Sequence, residues 1–207
     1  MADEKEDKIK GLAGANTERR FVEVPIAAEK RGADGAEERI ITGYALKFNT
    51  LSNLIGGWFK EKINRDALNE CDMSDVIACF NHDINTILGR TRSGTLTLKV
   101  DDVGLYFEIK CPNTRWGNDI WEMVDRSDVD KCSFMFVTDE SVWETLDGVD
   151  VRTILKVKKL YDVSLVVWPA YEDTEAAKRS FDQFKKDGEK VLSNLAKRKL
   201  QLRMLEL

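Results

Sequence analysis

Histidine occurs once in these 207 residues, at position 82. Zinc hydrolases that depend on two or three imidazole ligands are therefore excluded. Any reaction that needs an imidazole base must use His82. Imidazole suits that work because its unperturbed pKa lies near neutrality. His82 stands between Asn81 and Asp83, just after the apolar run Val76-Ile-Ala-Cys-Phe80. It reads either as a half-buried, hydrogen-bonded histidine or as a general base.

Two more residues have the right chemistry in an unusual setting. Ser133 lies in Lys131-Cys-Ser-Phe-Met-Phe-Val137. Alternation along a strand puts Cys132, Phe134 and Phe136 on one face and Ser133, Met135 and Val137 on the other. A serine in such a run is either bonded to the backbone or a nucleophile. No G-x-S-x-G elbow surrounds it, so an α/β-hydrolase is not supported. Asp162 lies in Leu160-Tyr-Asp-Val-Ser-Leu-Val-Val-Trp168. A carboxylate there is costly to bury without a partner. Alternation groups it with Leu160, Ser164, Val166 and Trp168. It would bond Ser164 or an arginine as a structural device, or hold an imidazole in the tautomer that accepts a proton from serine.

Four cysteines, at 71, 79, 111 and 132, form no C-x-x-C pair, so neither a zinc site nor a disulfide frame is indicated. Cys79 and Cys132 are alternative nucleophiles, but their aromatic neighbours fit buried, inert thiols better. Gly89-Arg-Thr-Arg-Ser-Gly94 lacks the G-K-[ST] ending of a phosphate-binding loop. Arg90 and Arg92 there would bind an anion or sit in solvent.

The elements that must position these groups follow from patterning. Hydrophobic residues make up 43% and charged residues 33%, an ordinary globular balance, with a net charge of −5. The acidic balance speaks against a nucleic-acid binder that depends on a positive field. No apolar run approaches the roughly 18 residues of a membrane span, and residues 1–8 lack the apolar core of a signal peptide. Residues 1–20 read as a flexible charged tail, with order beginning at Phe21. Strands are expected at Phe21–Ile26, Arg39–Phe48, Asp75–Phe80, Thr95–Val100, Gly104–Ile109, Lys131–Thr138, Val151–Val157 and Lys159–Trp168, with a tight hairpin at Asp147-Gly148. One helix is expected over Asn118–Arg126 and one or two helical turns at Asn64–Cys71. About eight to ten strands with few helices favour a mostly antiparallel sheet or barrel. After Pro169 the apolar positions Phe181, Phe184, Val191, Leu195, Leu202 and Leu205 follow a broken heptad, which reads either as a helical tail that docks on a partner or on its own domain or as a frayed helix with no partner.

Taken in order, several segments resemble one family. They are Phe80-Asn-His-Asp, Leu88-Gly-Arg-Thr-Arg-Ser-Gly-Thr-Leu-Thr-Leu, Asp102-Val-Gly-Leu-Tyr-Phe, Asp128-Val-Asp-Lys-Cys-Ser-Phe-Met-Phe and Leu160-Tyr-Asp-Val-Ser-Leu-Val-Val-Trp-Pro-Ala-Tyr. Together they resemble the prohead (capsid maturation) proteases of tailed bacteriophages, from about Phe21 to Thr174. The resemblance implies a mainly β (α+β) fold, an antiparallel β-barrel with surrounding helices similar to herpesvirus assemblin. It divides the chain into a tail at 1–20, a protease domain at 21–174 and a helical tail at 175–207. It further implies a serine endopeptidase with no cofactor and no metal, in which Ser133 is the nucleophile, His82 the base and Asp162 the orienting acid. Backbone N–H groups, with or without an arginine, would stabilise the oxyanion.

Two departures from the family pattern stand out. Asp162 falls where the family usually has Glu, one methylene longer, so a backbone shift must supply the reach or another acid does the work. Asn64-Arg-Asp-Ala-Leu68 replaces the family's Pro-Gly-Ala-Phe. A Ser-His-His triad of the herpesvirus kind cannot operate with one histidine. The implied partners are the major capsid protein, the scaffold or delta segment, and the chain itself, inside the procapsid in the host cytoplasm; neither nucleic acid nor membrane is implied, and self-association stays open. A catalytically silent assembly protein that keeps the barrel is the competing reading.

Overall fold

Two residues in the left-handed region, Asp147 (φ 50°) and Gly148 (φ 79°), turn the chain between its two longest strands. Consecutive positive φ values match the right-handed strand twist, which is why an Asp-Gly pair makes a tight hairpin. The hairpin joins β9 (Lys131–Leu146) to β10 (Val149–Val166). The structure, a computed structural model, describes residues 17–22, 25–32, 37–168 and 175–205.

Around that hairpin the first sheet runs β1-β9-β10-β5-β6, where β1 is Thr17–Val22, β5 is Ile77–Phe80 and β6 is Asp83–Arg90. β4 (Phe59–Ile63) also pairs with β10. The second sheet runs β2-β3-β8-β7, with β2 at Ala27–Arg31, β3 at Glu38–Lys47, β7 at Leu96–Val100 and β8 at Gly104–Lys110. At the sheet margins β1 lies beside β3, and β6 lies beside β7 and β8. The inner faces share one core that includes Ile41, Leu105, Phe107, Phe134, Phe136 and Leu165. The mainly β architecture expected from patterning is present.

Most strand pairs are antiparallel, as expected, but β4 and β5 run parallel to β10 on its second edge, so the first sheet is mixed. Parallel neighbours need a long crossover, and the chain between β5 and β10 supplies one.

Helix α1 (Arg115–Asp125) starts where Thr114 Oγ1 accepts from the Gly117 N–H at 3.1 Å. It buries Ile120, Trp121 and Val124, and Trp121 Nε1 donates to the Ile40 carbonyl at 3.2 Å. The expected turns after Asn64 form as turns without a helix.

β10 does not alternate as expected. Its core residues fall at Ile154, Val157, Leu160, Val163 and Leu165. Register shifts against β9 occur between Ile154 and Val157, between Val157 and Lys159, and between Leu160 and Asp162. Each extra residue flips the following side chains to the other face. Leu160 therefore packs in the core while Asp162, two residues on, belongs to the opposite face.

Order begins earlier than expected. β1 starts at Thr17, four residues inside the predicted tail, and pairs with β9. Residues 1–16 of that tail lie outside the described residues. Glu18 (2% exposed) and Arg20 (5%) point to the core side, where they meet Glu61 of β4 and Arg152 of β10. Arg20 forks onto Glu61 with Nε–Oε1 at 2.7 Å and Nη2–Oε2 at 2.9 Å. Arg152 Nη1 reaches Glu18 Oε2 at 2.7 Å and Glu61 Oε2 at 3.2 Å. Two charges of each sign, bonded in a ring, offset the cost of burying any one of them. Burial pushes the Glu18 carboxyl up, but Arg20 and Arg152 more than reverse this and hold it down at about 2.

Helix α2 (Glu175–Leu205) docks by its first turns. Ala177 joins Ile55 and Phe59 in a small separate core, with Phe181 and Trp143 packed against it. The Trp143 and Phe184 rings stack at 5.1 Å, and Lys185 pairs with Asp150. Beyond that point Val191, Leu192 and Leu195 are 58–67% exposed. The broken heptad therefore divides into a docked half and a free half; the side chains of Leu202 and Leu205 lie outside the described residues. No helix among the described residues is long and apolar enough to cross a membrane.

The ring of buried charges gives a stability test. Glu61→Gln leaves Arg20 and Arg152 buried with one carboxylate fewer, and the expected loss is about 3–5 kcal/mol, read as a lower urea midpoint at unchanged slope. The Glu18 contribution has the sign of a depressed acid. It is present above about pH 4.5, the ordinary value for that group, and is lost as pH falls toward 2.

Candidate active site

His82 sits on a two-residue turn between the paired residues Phe80 and Asp83. Asn81 has φ 50° and His82 has φ 57°. The turn repeats the geometry of Asp147-Gly148, but with a histidine where glycine is the comfortable choice. A non-glycine residue held there stores strain of roughly 1–2 kcal/mol. Hydrogen bonds over-determine the turn. The Asn81 N–H donates to the Leu165 carbonyl at 2.9 Å, and Thr86 Oγ1 donates to the Asp83 carbonyl at 2.6 Å. Asp83 also caps the chain beyond it, its Oδ1 accepting from the Asn85 N–H at 2.9 Å. The turn ends β5, which lies next to β10, so a side chain leaving it can reach across β10 toward β9.

Ser133 lies on β9, opposite Phe21 of β1 on one side and Ser164 of β10 on the other. Its neighbours Cys132 and Phe134 fill the core. Strict alternation therefore turns Ser133 to the outer face of the sheet, as the pattern predicts. Asp162 reaches the same face through the bulge at Tyr161, which leaves Leu160 opposite Phe136 and Asp162 opposite Met135.

The three side chains meet. His82 Nε2 is 2.7 Å from Ser133 Oγ, across 51 residues of sequence. His82 Nδ1 is 3.0 Å from both Asp162 Oδ1 and Oδ2, across 80 residues. His82 is 5% exposed, Ser133 3% and Asp162 1%. An ionised carboxylate only accepts hydrogen bonds, so Nδ1 carries the proton shared with Asp162. In the neutral ring Nε2 then presents its lone pair to the Ser133 hydroxyl. Ser133 Oγ also lies 3.0 Å from the Arg20 carbonyl of β1. Its single proton goes to Nε2 when the ring is neutral, and to Arg20 O when the ring carries both protons. The hydroxyl is thus partnered in either state. Chemically, such an arrangement is able to deprotonate a serine and hold the resulting imidazolium beside a carboxylate.

Other candidates lie elsewhere. Arg90 forks onto Asp75 at 2.6 and 2.7 Å, and Arg92 reaches Asp75 at 3.6 Å, so both serve a surface ion pair. Cys79 and Cys132 are fully buried, and burial, reinforced by the charge of Asp162, pushes both thiols well above their usual range. Thiols so placed are poor nucleophiles. Ser164 Oγ bonds Asp162 Oδ1 at 3.3 Å, the partner expected from the Asp-x-Ser spacing. Arg20 is the residue that sequence reasoning missed, because it was assigned to the tail. A cavity of about 290 Å³ is lined by Arg20, Phe21, Ser52, Glu61 and Phe134, the two β1 residues and Phe134 flanking the Ser133 position in the strand pairing.

No curated protein and no solved structure matches the chain. A family does. The sequence model of the caudovirus prohead serine proteases matches residues 26–187, a span that includes His82, Ser133 and Asp162. On that match, which covers most of its length, the chain belongs to the caudovirus prohead serine protease family.

Proposed function

We propose that this chain is an active serine endopeptidase that cuts the capsid precursor during procapsid maturation. Ser133 is the nucleophile, His82 the general base and acid, and Asp162 the orienting carboxylate. One observation carries the reading. The only imidazole in the chain lies between a serine hydroxyl and a buried carboxylate, within hydrogen-bond reach of both.

The steps follow from the geometry. Ser133 Oγ attacks the scissile carbonyl as His82 Nε2 takes its proton. Asp162 stabilises the imidazolium by Coulomb attraction and by the Nδ1 hydrogen bond. The C–N bond breaks, and Nε2 returns the proton to the leaving amine. The acyl group stays on Ser133 as an ester. Water then attacks it, with His82 as base again, and the carboxylic product and free hydroxyl are released. The substrates are the scaffold or delta segment of the capsid precursor and the protease's own chain. Enclosure in a procapsid raises effective concentration, so weak binding suffices. A silent assembly protein explains less, because it has no use for a histidine in a strained turn or for a carboxylate buried beside it.

The decisive test is precursor processing on co-expression with the capsid protein from the same source. Ser133→Ala and His82→Ala are each expected to lower cleavage by about 10⁴–10⁶-fold, leaving uncut precursor by mass spectrometry. Asp162→Asn loses about 10⁴-fold. Processing at the wild-type rate in Ser133→Ala would mean that another group, or no group, does the chemistry.

The thiol alternative has its own readout. Iodoacetamide at pH 8 is expected to leave Cys79 and Cys132 unlabelled in the folded protein and to label both in urea, by peptide mapping. Labelling of either in the native state, with loss of cleavage, would favour a cysteine nucleophile.

The free half of α2 serves as a tether to scaffold or capsid. Removing residues 190–207 keeps the docked residues Phe181, Phe184 and Lys185. The truncated chain is expected to melt as the wild type does but to be incorporated into procapsids less, by quantitative gel analysis of purified particles. Equal incorporation would remove the tether.

A further inference from the structure

The carboxylate that orients His82 is in a symmetric position. Both of its oxygens lie 3.0 Å from Nδ1. The terminal torsion of an aspartate is broad and nearly two-fold, so contact with His82 alone does not fix which way the carboxylate is turned. A second donor breaks the symmetry. Ser164 stands two residues beyond Asp162 on the same face of β10, and its hydroxyl donates to Oδ1 alone, at 3.3 Å. One strand further on, Cys79 of β5 is the paired neighbour of Ser164, with Sγ 3.0 Å from Ser164 Oγ. Ser164 and Cys79 are both fully buried.

Donor and acceptor chemistry assigns the proton directions. Ionised Asp162 only accepts, so the single Ser164 proton points to it. Ser164 Oγ then presents lone pairs to Cys79. Burial keeps that thiol protonated, so it is an S–H donor.

We propose that Ser164 and Cys79 are positioning residues for the His82 imidazole, a buried line in which the thiol fixes the hydroxyl, the hydroxyl fixes the Asp162 carboxylate, and the carboxylate fixes the ring. The proposal rests on Asp162 being the orienting acid of the reaction proposed above. The line passes from β5 to β10 at the Cys79–Ser164 pair, runs along β10 from Ser164 to Asp162, and is extended by the ring to Ser133 on β9. Strand pairing thereby sets the side-chain geometry. Neither Ser164 nor Cys79 touches substrate; each acts through Asp162.

The test uses the full chain and three variants, Ser164→Ala, Cys79→Val and Cys79→Ser. Because histidine occurs once, the far-downfield imidazole Nδ1–H resonance in proton NMR belongs to His82. Cleavage is read as the first-order conversion of capsid precursor co-expressed from the same source. Ser164→Ala is expected to slow conversion about tenfold, the effect of one ordinary hydrogen bond. It should also move the Nδ1–H resonance upfield and speed its exchange with water. Cys79→Val, similar in volume but without a donor, should give the same changes in smaller measure, about threefold in rate. Cys79→Ser keeps a donor and should keep both the resonance and the rate. Wild-type resonance and rate in Ser164→Ala overturn the proposal. Equal losses in Cys79→Ser and Cys79→Val also overturn it, since that is the mark of packing alone, and this pair still decides if Ser164→Ala fails to fold. The resonance is read without substrate. A wild-type chain with no Ser133-dependent cleavage would sink the protease reading, while the resonance series would still report on the line itself.

Discussion

An ionised carboxylate under a β-sheet face is the constraint on which the rest depends. Asp162 is almost fully buried, so it must be met by donors or give up its charge. The donors are the only histidine and a serine two residues along the same strand. His82 arrives because β5 pairs with the second half of β10, and because a left-handed turn aims its ring back over the sheet. Ser133 arrives because β9 pairs with β10 in a register that sets it opposite Ser164. Three neighbouring strands are thus committed to one line of hydrogen bonds. The bulge at Tyr161 is what places the carboxylate on that face.

A second polar system lies on the core side of the same sheet. Glu18, Arg20, Glu61 and Arg152 form a closed set of buried ion pairs that join β1, β4 and β10. Breaking one member is costly because the rest stay buried. Arg20 belongs to both systems. Its guanidinium locks β1 to the core side, where it also lies 5.8 Å from the Phe136 ring, and its carbonyl faces the Ser133 hydroxyl. The first strand is therefore the edge partner of the serine strand and an acceptor for the serine proton. Its charged residues are structural in the side chain and local to the site in the backbone.

The division of α2 follows from the same economy of burial. Phe181 and Phe184 have Trp143 and Phe59 to cover, and Lys185 has Asp150 to neutralise. Past Gly188 the domain offers the helix no such surface among the described residues, and Val191, Leu192 and Leu195 stay in solvent. Five basic residues and no acidic one occupy positions 190–205, in a chain whose net charge is −5.

Much of this was legible before any coordinates. A single histidine limited the chemistry, and the run around Ser133 fixed its face through strict alternation. The Asp-x-Ser spacing named Ser164 as a partner, and Asp147-Gly148 announced the hairpin. These are local properties, set by dihedral preferences and by the period of a strand. The tail boundary was not legible. Thr17-Glu-Arg-Arg20 looks like a solvated charge run, because nothing local says that Glu18 and Arg20 will be buried. Their partners Glu61 and Arg152 lie 41 and 134 residues away. The parallel pairings of β4 and β5, and the face of Asp162, were equally hidden, since both depend on where β10 bulges against its neighbours. The sequence by itself determined which groups are able to react and the strands that carry them. Only the tertiary structure decided that they meet, because register between strands distant in the chain is fixed by the whole core and by charges that cannot be left buried alone.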